Sequence, residues 1–336
     1  MRPGFLIFAL IVFSADLGDA LGASALYPLN PSVTRDAIYV SSQGVSRFDR
    51  QDLKLVWRAL EGVHTFEPVV TKAAILIGSP AGLYALDPAS GKTRWHLPSD
   101  ATLFSPAVAQ GIAFVGGEDG SLRAVAIDTG RVVWQRRFAG WIYPPAIVRG
   151  HLIVGGSGGW LRGVDVETGE IRWEKPLSQE MVYRPVAIPG GRTVVTTFSG
   201  EVLVLSAADG RTIWRAEDRV PSFPPAAAEG RLYFGGFDGN LRVRDQTDGK
   251  LRWMRPVGDR LSFTPRVANG VALVGSKQGQ VTAFRTQTGE QLWESAEAKG
   301  LVGSPVLMDD TAVLFFSTRR PALRPIANLP GAHSRR

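Results

Sequence analysis

From residue 31 onward the chain is written in short apolar runs separated by Gly-rich polar turns. The stretch "PAVAQGIAFVGGEDGSLRAVAIDTGRVVWQRRF" (106–138) contains four of them, at 106–109, 112–115, 122–127 and 132–138. Runs this short, rich in Val and Ile and apolar on both sides, predict strands buried on both faces rather than helices. "GGEDG" and "DTG" supply Gly where a hairpin turn needs φ > 0, so successive strands are expected to be antiparallel. A Pro at the start of a strand removes no ladder hydrogen bond.

The same unit returns along the chain. Trp recurs at Trp57, Trp95, Trp134, Trp173, Trp214, Trp253 and Trp293, 38 to 41 residues apart. Four residues before each stands Gly91, Gly130, Gly169, Gly210, Gly249 or Gly289, with Leu53 in the first copy. Four before that lies an acid in some copies (Asp49, Asp87, Asp165, Asp245), whereas Ala126, Ser206 and Arg285 break the rule. Trp141 and Trp160 lie off the period. A second ladder, Pro31, Pro68, Pro106, Pro145, Pro185, Pro225, Pro265 and Pro305, gives eight starts. The eighth unit continues to "LRPIANLPG" (323–331) and lacks only its last strand. About forty residues and four antiparallel strands per unit predict an all-β, eight-bladed β-propeller, with seven closed blades as the fallback. Residues 20–27 are at the offset for a strand completing the last blade. Trp at one fixed place per blade suits the seam between blades, so all seven are expected to be structural.

The ends bound the domain. Arg2, the apolar run "FLIFALIVF" (5–13) and the small-residue site Ala23-Ser24-Ala25 predict a secretory signal peptide over 1–25. The apolar run is too short to span a membrane. The propeller is then expected over 26–331 as a single domain, followed by a basic disordered tail, 332–336. Net charge is +7, but five Arg residues lie beyond Thr318 and the body mixes both signs, so no nucleic-acid groove is expected. With no Cys, disulfides and thiolate chemistry are excluded. The four His residues share no metal-binding spacing, and no nucleophile elbow or phosphate loop is present.

"ALDPASGKTRW", "GVDVETGEIRW" and "AFRTQTGEQLW" resemble the repeat of the PQQ-like, or quinoprotein-type, propeller family. The likeness covers about 30–331. It implies one of two branches. The quinone-dependent dehydrogenases place pyrroloquinoline quinone beside a disulfide of adjacent Cys residues, hold calcium with acidic and amide side chains, and use an Asp base. The chain has no Cys, and "EDG" (118–120) and "FDG" (237–239) read as turns rather than a calcium cluster. No catalytic residue, metal or cofactor is assigned, and pyrroloquinoline quinone remains only with the alternative. The BamB-like branch, whose members bind an outer-membrane assembly partner through inter-blade loops, is similar in size and architecture. "DRLSFTP" (259–265) resembles a segment there, which makes Asp259, Arg260 and Leu261 candidate partner contacts. The acidic residues that follow it in that branch, and the lipid-bearing Cys, are absent.

A further candidate lies just before the Pro ladder. Phe66, Phe104, Tyr143, Tyr183, Phe223 and Phe263 share one offset, each separated from its Pro by Glu67, Ser105, Pro144, Arg184, Pro224 or Thr264. If they open the innermost strands they ring one mouth of the central channel; the alternative is that the aromatics are core between blades. Tyr143, Tyr183, Glu67 and Arg184 are the candidate ligand contacts. Glu67 and Arg184, three blades apart, are expected to be too distant for a salt bridge. The resulting expectation is a non-catalytic, monomeric, periplasmic or secreted propeller that binds a protein or peptide of the cell envelope, with an outer-membrane assembly component as one such partner. The alternative is a quinone-binding oxidoreductase or sensor.

Overall fold

The repeated phrase has a specific geometry. In the third unit the Gly130 N–H returns to the Ala126 carbonyl at 2.8 Å, closing the turn with Gly130 at φ 73. The strand that follows, Val132–Arg137, pairs with Ser121–Ala126, but the register slips between Ala124 and Val125. Ala124 faces Trp134 and Val125 faces Val132, so Val133 bulges out just ahead of the Trp. The same slip precedes Trp57, Trp95, Trp173, Trp214, Trp253 and Trp293. A bulge turns the strand and re-aims the next side chain, here towards the following unit.

The acid of the phrase is explained by the bulge. Where Asp87, Asp165 or Asp245 is present, the bulged residue is Arg94, Arg172 or Arg252, which pairs with it at 2.6, 2.8 and 2.6 Å. Where the acid is replaced by Ala126, Ser206 or Arg285, the bulged residue is Val133, Ile213 or Leu292. Asp49, opposite Val56, keeps the local task of accepting main-chain N–H groups in its turn, from Gln51 at 2.7 Å and Asp52 at 3.2 Å. Arg94 beside Asp87 and Arg172 beside Asp165 hold those carboxyls well below the usual carboxylate range.

A computed structural model describes residues 31–181, 183–261, 263–278, 280–295, 304–307, 312–316 and 321–325. The expected signal peptide 1–25, closing strand 20–27 and tail 332–336 lie outside the described residues. Strands pair in chain order into eight antiparallel sheets, six with four strands and the first and last with three. In the first sheet the long strand Ala37–Asp49 bends at Gly44 (φ 117). Its ends lie side by side, with the Arg50 N–H on the Asp36 carbonyl at 3.0 Å and Arg47 facing the Asp36 carboxylate at 3.6 Å. That strand therefore fills two places. The complete blades number seven, the fallback count, and the eighth repeat adds Val306–Leu307, Ala312–Phe316 and Pro321–Pro325. The fold is an all-β propeller. No helix among the described residues is long and apolar enough to cross a membrane.

The seams answer what the phrase is for. Six of the seven repeat Trp residues donate the indole N–H to a carbonyl of the next unit: Trp57 to Pro88, Trp95 to Ile127, Trp134 to Val166, Trp173 to Ala207, Trp214 to Gln246 and Trp253 to Thr286, over 2.7–3.2 Å. Each of these six rings also lies on the next unit's Gly. A Cβ on Gly289 would sit 2.7 Å from the Trp253 ring, and one on Gly210 would sit 2.5 Å from that of Trp173. Gly and Trp are thus partners across blades, not within one. Leu53 takes the same left-handed turn (φ 56).

The "FDG" turn is held by an ion pair. Asp238 accepts from the buried Arg242 guanidinium at 2.9 and 2.5 Å, which, with Asn240, brings its pKa down to about 2. A carboxyl lowered on folding stabilises the native state above its unfolded value, near 3.9, and loses that contribution as pH falls through the folded value. Stability is therefore expected to fall between about pH 4 and 2, with Asp238 contributing about 1 kcal/mol of it after solvent screening. Chemical denaturation of Asp238→Asn across that range should show lower stability at neutral pH and a shallower acid dependence than wild type.

Candidate functional site

The inner strands meet around one cavity. Phe66, Glu67, Phe104, Ser105, Pro144, Tyr183, Arg184, Phe223, Pro224 and Thr264 line it, drawn from the second to the seventh sheet. All six residues between aromatic and Pro therefore share one channel mouth. Hydroxyls tie its wall together: Ser105 donates to the Glu67 carbonyl at 2.8 Å and Ser304 to that of Thr264 at 3.1 Å.

The aromatic set divides. Phe66, Phe104, Tyr143, Phe223 and Phe263 are buried, and Phe66 and Phe104 meet edge to face at 5.4 Å. Tyr183 differs, being absent from the buried core. Tyr183 takes φ 62, an uncommon conformation for a bulky residue, and stacks on Phe223 at 4.8 Å. Backbone outliers of this kind cluster at binding sites.

Glu67 and Arg184 correct the sequence-based expectation. Arg184 Nη2 lies 3.4 Å from Glu67 Oε2, so the two pair across the mouth. Blade offset specifies an angle around the axis, but the inner strands converge so closely that two long side chains span the opening. Neither is left to meet a separate end of a ligand.

Beside the mouth a second, open groove of about 890 Å³ is lined by Trp141, Tyr143, Ser157, Glu180, Met181, Tyr183 and Phe198. The Trp141 loop is fixed by its N–H on Ser157 Oγ at 2.9 Å, and the Tyr143 hydroxyl faces Glu180 at 3.5 Å. Trp141 is 41% and Phe198 38% exposed, and they are the two aromatics among the exposed large hydrophobics of the described residues. Tyr183 belongs to both cavities, so groove and mouth are adjacent.

The "DRLS" segment splits in the same way. Arg260 stacks over Phe237 at 3.6 Å, and Phe237 packs on Phe223 at 5.2 Å, which links Arg260 to the aromatics of the mouth. Asp259 is exposed. Leu261 is 0% exposed and is removed from the candidate contacts. It bridges to Ser276 as Leu103 does to Gly117 and Ile142 to Gly156, and its side chain fills the core between Val257 and Phe284. Phe198, Phe237 and Arg266 were missed in the sequence. The signal was present: Phe198 and Phe237 put aromatics in hairpin turns that elsewhere carry Glu118 or Ser157, and Arg266 stands where other units have Val69, Ala107, Ala146, Val186 and Ala226.

The geometry has counterparts among known proteins. The family model described as outer membrane protein assembly factor BamB matches residues 13–103, 41–180 and 118–322. The chain is similar to the BamB of Burkholderia pseudomallei, 33% identical over 112 residues, 33% of this chain and 29% of that protein. It is also similar to the dehydrogenase subunit of the quinone alcohol dehydrogenase of Gluconobacter oxydans, 31% identical over 135 residues, 32% of this chain and 18% of that one. The matched segments thus span less than a third of either relative. Among solved structures, BamB from Moraxella catarrhalis superposes with TM-score 0.71 at 16% identity, covering 94% of this chain and 99% of that one. The quinohemoprotein alcohol dehydrogenase ADHIIG from Pseudomonas putida HK5 superposes with TM-score 0.68 at 15% identity, covering 87% and 71%. At such identities the superpositions show the propeller fold alone.

Proposed function

The chain belongs to the outer membrane protein assembly factor BamB family, and from that premise we propose a non-catalytic, monomeric propeller that holds a protein or peptide segment in the cell envelope. The observation that carries this reading is the placing of both exposed aromatics of the described residues, Trp141 and Phe198, in one groove that shares Tyr183 with the channel mouth. Exposed apolar area gathered in one place favours a macromolecular contact, whereas single scattered residues do not. Aromatic anchors at the centre of an interface also carry much of its binding energy. On this reading an outer-membrane assembly component is one candidate partner, and Arg260 on Phe237 extends the contact along the same face.

The relatives include quinone-dependent alcohol dehydrogenases, so the alternative is an oxidoreductase. The donor set at the mouth does not fit a calcium-held quinone. Calcium takes six to eight oxygen ligands, several of them carboxylates. Among the residues lining the cavity the one carboxylate is Glu67, already paired with Arg184, and the Ser105 hydroxyl is engaged with a neighbouring carbonyl.

Trp141→Ser combined with Phe198→Ser tests the groove. Neither side chain is buried, so the melting temperature should stay within a few degrees of wild type. Capture of the native partner from an envelope extract should be lost. Unchanged recovery by the folded double variant would place the binding surface elsewhere, on the loops around Asp259 and Arg260.

A further inference from the structure

Among the described residues the channel holds more positive than negative charge. In the described ring ahead of the Pro ladder, Glu67 and Arg184 are the two charged positions; the others are Ser105, Pro144, Pro224, Thr264 and Ser304. In the next inward ring, one residue past the Pro, Arg266 is the single charge among Ser32, Val69, Ala107, Ala146, Val186, Ala226 and Val306. Arg266 is not itself among the residues lining the mouth, but it follows two residues after Thr264, which is. Its Nη2 donates to the Pro31 carbonyl at 3.5 Å, and the adjacent Ser32 hydroxyl donates to the carbonyl of Pro68, next to Glu67, at 2.5 Å. Its Nε is buried and, among the described residues, has no hydrogen-bond partner. Burial lowers its pKa, with Glu67 raising it and Arg184 lowering it, so all three charges act on one another. A guanidinium nonetheless stays charged at neutral pH. Two cations thus share one carboxylate in a confined, partly desolvated space.

We propose that the channel mouth is a carboxylate-recognition site, in which Arg266 and Arg184 take the acidic side chain of a bound peptide whose neighbouring apolar residues lie on Tyr183, Phe223 and the groove beyond. The assignment rests on the peptide-binding reading above and names its chemistry. A carboxylate suits the site better than a phosphate for two reasons. The surplus is one positive charge, which a monoanion neutralises and a dianion overshoots. The walls are aromatic and Pro, which favours an anion carried on an apolar body. Guanidinium groups bind carboxylates through paired, charge-assisted hydrogen bonds. Glu67 is then an internal competitor, the anion that occupies Arg184 until a ligand arrives.

The test uses the full-length protein and a fluorescently labelled peptide with one Glu between two Phe residues, alongside the same peptide with Gln in place of Glu. The Glu peptide should bind at least about tenfold more tightly than the Gln peptide, the order of effect for one buried charged partner. Arg266→Gln should remove that preference without shifting the melting temperature downward. Glu67→Gln should tighten binding of the Glu peptide by roughly fivefold, the order of effect of relieving one half-buried like charge. Inorganic phosphate should compete poorly. Equal binding of the two peptides, an unchanged preference in Arg266→Gln, or weaker binding in Glu67→Gln overturns the carboxylate assignment while leaving peptide capture standing. Strong competition by phosphate also overturns it, in favour of a general anion site. Binding of neither peptide overturns the assignment, and the Trp141/Phe198 experiment then decides whether the peptide reading falls with it.

Discussion

Trp253→Ala is expected to lower folding stability by roughly 3–5 kcal/mol, the cost of emptying a buried aromatic site. Trp253 is buried, packs between Tyr233 and Phe284 with ring centres 6.3 and 6.2 Å away, and bonds Thr286 across the seam at 3.0 Å. Removing it empties the seam and leaves the Thr286 carbonyl without its indole donor. Trp134→Ala and Trp173→Ala, at half-buried positions with the same cross-seam bond, should cost somewhat less. Trp141→Ala, exposed and off the period, should fall within about 0.5 kcal/mol of wild type. Chemical denaturation of the four variants orders them; equal losses at Trp253 and Trp141 would mean that the period does not mark the seams.

Gly289→Ala should be nearly as damaging, roughly 2–5 kcal/mol, from two sources that can be separated. A left-handed backbone (φ 70 at Gly289) costs an L-residue about 1–2 kcal/mol. A Cβ 2.7 Å from the Trp253 ring adds an overpacking cost of about 1–3 kcal/mol. Only the second source depends on the Trp. In the Trp253→Ala background the same Gly289→Ala change should therefore cost only the backbone share, a coupling of about 1–3 kcal/mol in a double-mutant cycle. Strict additivity would show that Gly and Trp are conserved features of the repeat for unrelated reasons, not partners across one seam.

Much of this fold was legible in the sequence because it is periodic. Seven Trp and eight Pro at a constant spacing identify the blades, and a residue's place in the repeat identifies its strand. The Trp–Gly contact was not legible, because both residues occur in every phrase and a repeat cannot say whether a Trp meets its own Gly or the next one. The missing acids at Ala126, Ser206 and Arg285 had no explanation until the bulge showed Val133, Ile213 and Leu292 where Arg94, Arg172 and Arg252 stand in the acid-bearing units. The site was legible in outline, since the six residues ahead of the Pro ladder do line one mouth. Its chemistry was not. Position in a repeat gives angle and height but not distance across the axis, which is why Glu67 and Arg184 looked separated and are 3.4 Å apart. Resemblance of a short segment misled at Leu261, where the repeat itself marks a core position shared with Leu103 and Ile142.

Titration of the purified protein with pyrroloquinoline quinone and calcium, followed by dye reduction upon adding an alcohol or a sugar, separates the proposed polypeptide-binding propeller from a redox enzyme. The account predicts no calcium-dependent binding of the quinone and no dye reduction above the protein-free control. Tight, calcium-dependent binding with substrate-dependent dye reduction would contradict it and make the chain a quinone-dependent oxidoreductase.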